Sequence, residues 1–300
     1  MIRDLVERLS LTVIQQIKSG HRCKHVYRVL DSSRQPLILK VADDTEGTEE
    51  IRNNIRGYEK LNSIGLQFFI PIVVDFVSTD ELSYILMQDC GDDLVTRLQD
   101  GRIGRSIYGQ ITDGMIRVYE KSLRTGKDAS LHVGFEVRAI QSLHQDFFLQ
   151  ISGSLIGDRI IKKISERATT LDMPSFCFAS WDFMPGNIFI TKKGIKFVDP
   201  KPMVTGMPIL DLACLGGVLK DVHHFPDAAY GMLHFRRFAL ETLARLLSVS
   251  KVDAFCLYLL GRLLQNFLSL REACVRDDIR GKQFFAHKVE LCLKQFDTIC

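Results

Sequence analysis

The sequence predicts an α+β protein of two lobes, a small amino-terminal lobe of strands around one helix and a larger, mainly helical carboxy-terminal lobe. Three observations lead there. The first ninety residues carry short β-rich runs, separated by polar turns, and one amphipathic stretch. From about residue 93 to 172, and again from about 227 to 299, apolar residues recur at helical spacing. Between those tracts, FCFAS, NIFIT and IKFVD are short apolar runs broken by PG and KKG, as small strands and turns would be. The boundary falls near residues 90 to 93, giving a lobe at 1–90 and a lobe at 91–300.

The elements follow in order. MIRDLVERLSLTVIQQIKSG spaces its charged and apolar residues as a helix does and lacks the unbroken apolar core of a secretory signal. KSGHRCKH, with Gly20 allowing a bend, suits a turn whose amides and charges (His21, Arg22, Lys24, His25) cover phosphates, and equally suits a solvated hairpin tip. HVYRVL and PLILKVA flank the polar DSSRQ as an antiparallel hairpin. Alternation in PLILKVA puts Leu37, Leu39 and Val41 on one face and Ile38, Lys40 and Ala42 on the other. In the next stretch, Thr48 suits an N-cap and Glu49 and Glu50 the positive helix end. There Ile51, Ile55, Tyr58 and Leu61 form one apolar face, and Gly65 is a stop. IPIVVDFV and ELSYILMQ supply two further strands.

Bulk properties remove several function classes. With 300 residues, 46% hydrophobic and 25% charged, the chain can bury one large core or two moderate ones. A net charge of +3, from 39 basic and 36 acidic residues, calls for no nucleic-acid polymer as partner. No run approaches the ~18 uninterrupted apolar residues of a membrane span. The eight cysteines lack C-x-x-C pairs and zinc-ligand spacing, so most are expected to be reduced thiols, and the expected location is cytoplasmic.

SWDFMPGNIF concentrates the chemistry. Asp182 and Asn187 flank a Pro-Gly bend, and NIFITKKGIKFVD reads as a tight hairpin that returns Asp199 beside Asn187. Phosphoryl transfer needs this set: one carboxylate to orient or accept the proton of an attacking hydroxyl, and hard oxygen donors to hold Mg²⁺ on the phosphates. Asp182, Asn187 and Asp199 fit those roles in that order. The bare spacing also suits a turn-forming Asp and a capping Asn; the hairpin and the terminal Asp199 favour the chemical reading. Lys40 is either an outward-pointing strand lysine or a phosphate ligand held by Glu59 on the following helix.

These residues, in this order, resemble the protein-kinase-like fold, and most closely its aminoglycoside phosphotransferase and choline kinase branch. The resemblance spans roughly residues 15 to 220 and is strongest in SWDFMPGNIFITKKGIKFVDPKP. It implies that Asp182 is the catalytic aspartate, Asn187 and Asp199 are magnesium ligands, Lys40 is the third-strand lysine and Glu59 in GYEKL is its ion-pair partner. It also implies that ILMQDCGDD is a hinge binding adenine near Gln88 and Cys90, that Asp211 in PILDLACL ties down the catalytic loop, and that ATP with Mg²⁺ occupies the cleft. Two positions depart from the pattern: Ser180 replaces a histidine and the bulky Trp181 follows it, while the covering loop is poor in glycine.

The expected reaction is transfer of the γ-phosphoryl group of ATP to a small-molecule alcohol. Residues 211 to 300 carry slightly more basic than acidic residues, which disfavours a polycationic antibiotic as acceptor. His223, His224 and His234 are candidate acceptor contacts or ordinary packing residues. Two rivals remain. One is a regulatory binding module that kept the fold and lost turnover; the other is a protein serine/threonine kinase, disfavoured because no long A-P-E-like activation segment follows Asp199.

Overall fold

Five of the apolar runs form one antiparallel sheet. In the computed structural model, which describes residues 2–17, 25–79, 82–101, 103–125, 142, 162–163, 166, 185–200, 228–246 and 248–299, its strand order is β1-β2-β3-β5-β4. The strands are β1 (Thr12–Ile17), β2 (His25–Leu30), β3 (Pro36–Ala42), β4 (Val73–Ser78) and β5 (Ser83–Gln88). Helix α1 (Ile2–Arg8) precedes β1, and α2 (Thr45–Ser63) follows β3. The amino end is therefore helical only to Arg8. The β-branched residues of TVIQQI make β1, where helical spacing throughout had been expected.

The alternation along β3 organises this sheet. Leu37, Leu39 and Val41 pack with Leu5, Leu11, Val29, Tyr84 and Leu86 in a core on one face. The opposite face carries Lys40, which pairs with Val26 on β2 and Ile85 on β5. The turn from β2 to β3 is held by Asp31, whose carboxylate accepts from the Ser33 and Gln35 N–H groups at 2.9 and 2.8 Å.

Helix α2 begins earlier than Thr48. Its N-cap is Asp44, which has extended backbone angles and accepts the Gly47 N–H at 2.6 Å; Thr48 lies buried within the first turn. The aspartate prevails because its side chain sits just outside the helix and reaches an otherwise unpaired amide. Ile51, Ile55, Tyr58 and Leu61 form the buried face, and Gly65, at φ 75°, follows the C-cap Ile64.

By packing, the chain divides into Met1–Asp100 with Pro185–Pro202, and Gly101–Met184 with Met203–Cys300. The first unit thus runs past residue 90 and reclaims a later segment. Helix α3 (Leu94–Gln99) and the hairpin of β6 (Ile188–Thr191) and β7 (Gly194–Phe197) belong together. Asp93 caps α3 and bridges Phe189, and the Arg97 guanidinium donates to the Ile190 carbonyl at 3.1 Å.

The second unit is helical in its described part. Helix α4 (Ser106–Thr125) buries Tyr108, Ile111, Met115 and Val118, spaced three and four apart. Helices α5 (Ala228–Leu246), α6 (Lys251–Val275) and α7 (Ile279–Ile299) follow. The Tyr108 ring meets Phe235 of α5 edge-on at 5.5 Å, and α6 contributes Leu259, Leu263, Phe267 and Leu270 to the core. Cys90, Cys274 and Cys292 are free thiols, whereas Cys256 is disulfide-bonded. Among the described residues, no helix is long and apolar enough to cross a membrane.

Replacing Asp44 with alanine removes the α2 cap. We expect Asp44→Ala to lower stability by about 0.5–2 kcal/mol, read from urea unfolding midpoints.

Candidate active site

Strand β3 delivers Lys40 onto an apolar surface, where the residue is 8% exposed. An ammonium so placed requires partners, because desolvation penalises its charge heavily. Nζ donates to Oδ1 of Asp199 and reaches Oδ1 of Asn54 on α2 at 3.5 Å. Asn54 is itself almost wholly buried.

Asp199 arrives from the hairpin. Asn187 ends a 3-10 turn at Pro185–Asn187, and the chain reverses at Gly194, whose φ is 119°. The Val198 N–H donates to the Asn187 carbonyl at 3.0 Å and closes the hairpin mouth. The backbones of Asn187 and Asp199 are thereby brought to the same end of the hairpin, as the sequence suggested. β7 is tied back to the sheet region: Lys196 Nζ donates to the Ile70 carbonyl at 2.8 Å, and Phe197 lies 6.4 Å from Phe69, ring to ring. Burial lowers the Lys196 pKa.

Asp199 has φ 54°, in the left-handed region that aspartate tolerates better than most residues. Its N–H donates to the Tyr58 hydroxyl at 3.3 Å, and that hydroxyl donates to Met87 Sδ at 3.6 Å. Burial first, and the Asp199 charge second, pushes the Tyr58 phenol well above its usual pKa. The next residue, Pro200, meets Gly57. A Cβ at position 57 would stand 2.7 Å from the Pro200 carbonyl oxygen and 2.9 Å from its Cβ. Asn54, Gly57 and Tyr58, at i, i+3 and i+4, thus present one side of α2 to Lys40, Asp199 and Pro200.

The expected Lys40–Glu59 pair is not formed. Glu59 is exposed and lines a cavity of about 280 Å³ with Ile55, Tyr58, Asn62 and Val73 to Phe76, while Asn54 faces the lysine. The reason is angular. Five residues advance about 140° around a helix, so positions 54 and 59 cannot share a face. Asn54 and Gly57 escaped the sequence reading, and Tyr58 entered it only as core. Counting four positions back from Tyr58 reaches Asn54, and three on from Asn54 reaches Gly57.

At the expected hinge, the Gln88 N–H donates to the Ile72 carbonyl at 2.8 Å, and the Gln88 side chain accepts from Ile72 N–H at 3.4 Å. Asp89 pairs with Arg28 at 2.6 Å and accepts the Gly91 N–H at 2.8 Å, Gly91 having φ 81°. Cys90 is buried with its thiol toward the Gln88 carbonyl at 3.8 Å, and burial pushes its pKa up to about 11. In the helical unit, His234 packs beside Tyr108 and Phe235, and its Nε2 lies 3.3 Å from Thr112 Oγ1. Asp182, Ser180, Trp181, Asp211, His223, His224, His21, Arg22 and Lys24 lie outside the described residues.

No family model matches the chain, and no curated protein does. Solved structures do. The chain is similar to choline kinase LicA from Streptococcus pneumoniae, with a TM-score of 0.62 at 14% identity over 99% of each chain. It is also similar to wild-type aminoglycoside 2'-phosphotransferase-IIIa in complex with GDP, at 0.67 and 12% over 98% of this chain and 97% of that one. Against ADP-bound aminoglycoside phosphotransferase APH(2'')-Ib the values are 0.53 and 12%, over 97% and 95%. The chain therefore has the protein-kinase-like α+β fold of these small-molecule phosphotransferases.

Two expectations follow from the packing. Gly57→Ala should lower stability by about 1–3 kcal/mol in urea unfolding, because the backbone clash with Pro200 outweighs a helix-propensity gain of about 1 kcal/mol. For Cys90, the unfolded thiol loses its proton near its ordinary value of 9.0 and the folded one near 11. The folded state holds the extra proton between those values, so stability declines as pH rises from about 9 to about 11. Cys90→Ala should flatten that part of the decline, measured by urea midpoints at several alkaline pH values.

Proposed function

We propose that this protein is an ATP-dependent phosphotransferase that moves the γ-phosphoryl group onto a hydroxyl of a small molecule. The observation that carries the reading is the buried Lys40 ammonium joined to the Asp199 carboxylate, at the mouth of the hairpin that also bears Asn187. A buried cation beside oxygen donors is the equipment for binding a triphosphate, whose transfer depends on positioning and charge neutralisation.

The donor set fits Mg²⁺. Asn187 and Asp199 offer hard oxygen ligands at one end of the hairpin, and the Asp199 carboxylate already accepts a positive group. These two residues would hold the ion, which when bound offsets phosphate charge. Lys40 would donate to phosphate oxygens, with backbone groups near Gln88 and Cys90 taking the adenine. Asp182 would orient the acceptor hydroxyl and take its proton as oxygen bonds to the γ-phosphorus. The bond from that phosphorus to the bridging oxygen breaks, and ADP leaves. Glu59 has no part in this scheme, since Asn54 stands opposite Lys40.

The acceptor is a small alcohol in this reading. Choline kinase and the aminoglycoside phosphotransferases share the fold, and the basic excess in residues 211 to 300 favours the less cationic end of that range. The test is release of the nucleoside diphosphate, ADP from ATP or GDP from GTP, across amino alcohols, sugars, aminoglycosides and a serine peptide. We expect turnover with at least one small alcohol. Lys40→Met should then reduce kcat by about 10²- to 10³-fold, and Asp182→Asn by about 10²- to 10⁴-fold with nucleotide affinity nearly kept. Nucleotide binding without turnover on any acceptor would instead assign a regulatory module, and turnover on the peptide alone a protein kinase.

A further inference from the structure

One hydrogen bond in the described part of the site joins the backbone of Asp199 to a side chain of α2. The Asp199 backbone amide points at the Tyr58 hydroxyl, and the donor belongs to a residue with φ 54°. Tyr58 is 1% exposed, so its hydroxyl has no water to fall back on; its remaining partner is the Met87 sulfur, a weak acceptor. The bond is part-buried, and an N–H there left without an acceptor costs up to about 1–3 kcal/mol, so removing this oxygen penalises the left-handed conformation of Asp199 directly. Carboxylate direction depends on that conformation, because a change of backbone region at one residue swings its Cβ to a different side.

We infer that Tyr58 is a positioning residue for Asp199: its hydroxyl locks the backbone that aims the carboxylate, and so sets the affinity of the site for a divalent cation. The inference rests on the phosphotransferase reading of Asp199. Gly57 supports the same lock by letting Pro200 lie against α2, and Asn54, one turn earlier, faces the lysine that shares the carboxylate. One side of one helix thereby sets both charged groups. The phenol contributes as a neutral acceptor and need touch neither metal nor nucleotide.

The experiment is a titration of the full chain with Mn²⁺ in the presence of a non-hydrolysable ATP analogue, following loss of the free-ion electron paramagnetic resonance signal. Tyr58→Phe keeps the buried ring and removes only the oxygen. We expect it to raise the Mn²⁺ dissociation constant roughly tenfold, the equivalent of one lost hydrogen bond. Tyr84→Phe makes the same chemical change on strand β5, where the hydroxyl donates to Asp75 at 2.7 Å, and should leave Mn²⁺ binding as in the wild type. That contrast separates positioning from general loosening, since both variants lose a hydrogen-bonded phenol oxygen. Wild-type Mn²⁺ affinity in Tyr58→Phe, with binding abolished in Asp199→Asn, overturns the role of Tyr58 alone. Wild-type affinity in Asp199→Asn overturns the underlying reading of the site, and this inference with it.

Discussion

Placing an ammonium on the packed face of a sheet constrains everything around it. Lys40 sits between Val26 and Ile85 in register, on a strand whose other face is filled by Leu37, Leu39 and Val41. Such a charge is tolerable only when a counter-charge and further oxygens come to it, since the interior returns none of the hydration it loses. Nothing within the five-stranded sheet supplies the carboxylate. It comes from Asp199, more than 150 positions along the chain, carried back by a hairpin that packs with the first unit. The division of the protein into units follows from this. A chain folded strictly in sequence order would leave Lys40 buried without its carboxylate.

The hairpin is held for the same purpose by several modest attachments. Phe197 meets Phe69, Lys196 caps the Ile70 carbonyl, Arg97 reaches the Ile190 carbonyl, and Asp93 bridges Phe189. Each is ordinary in size, and each fixes a different point of a short two-stranded element that would be marginal on its own. Together they leave Asp199 little freedom except in its own backbone, which α2 then governs. Because that helix also buries Ile51, Ile55 and Leu61 against the sheet, its position is set by the core and passed on to the site.

What was legible in the sequence divides along the range of the interactions. Alternation along PLILKVA placed Lys40 on the correct face, and the KKG turn between two apolar runs placed Asp199 near Asn187, because both follow from local backbone geometry. The start of α2 was misread, since Thr48 and Asp44 are both acceptable caps by residue type and only the three-dimensional position of Gly47 N–H decides between them. TVIQQI was read with the helix before it because a six-residue run is too short for periodicity to separate the two states. Glu59 was chosen for its charge, whereas partnership across a helix is settled by angle. Tyr58 looked like core and is core; that its hydroxyl also serves Asp199 depends on a residue 141 positions away.

The amide at position 54 fits this arrangement for an electrostatic reason. Asn54 is buried to within 2% and lies on the same side of α2 as Tyr58. A carboxylate there would place a buried negative charge near Asp199, and two acids facing one ammonium cannot both remain cheaply ionised. One would hold its proton, or the lysine would be drawn toward the helix and away from Asp199. The amide oxygen attracts the ammonium without adding charge, so the strongest attraction on Lys40 from these two residues remains the Asp199 carboxylate. Ion pair and helix then pull in the same direction: the lysine stays with the hairpin, and the hairpin with the face of α2 that fixes its backbone.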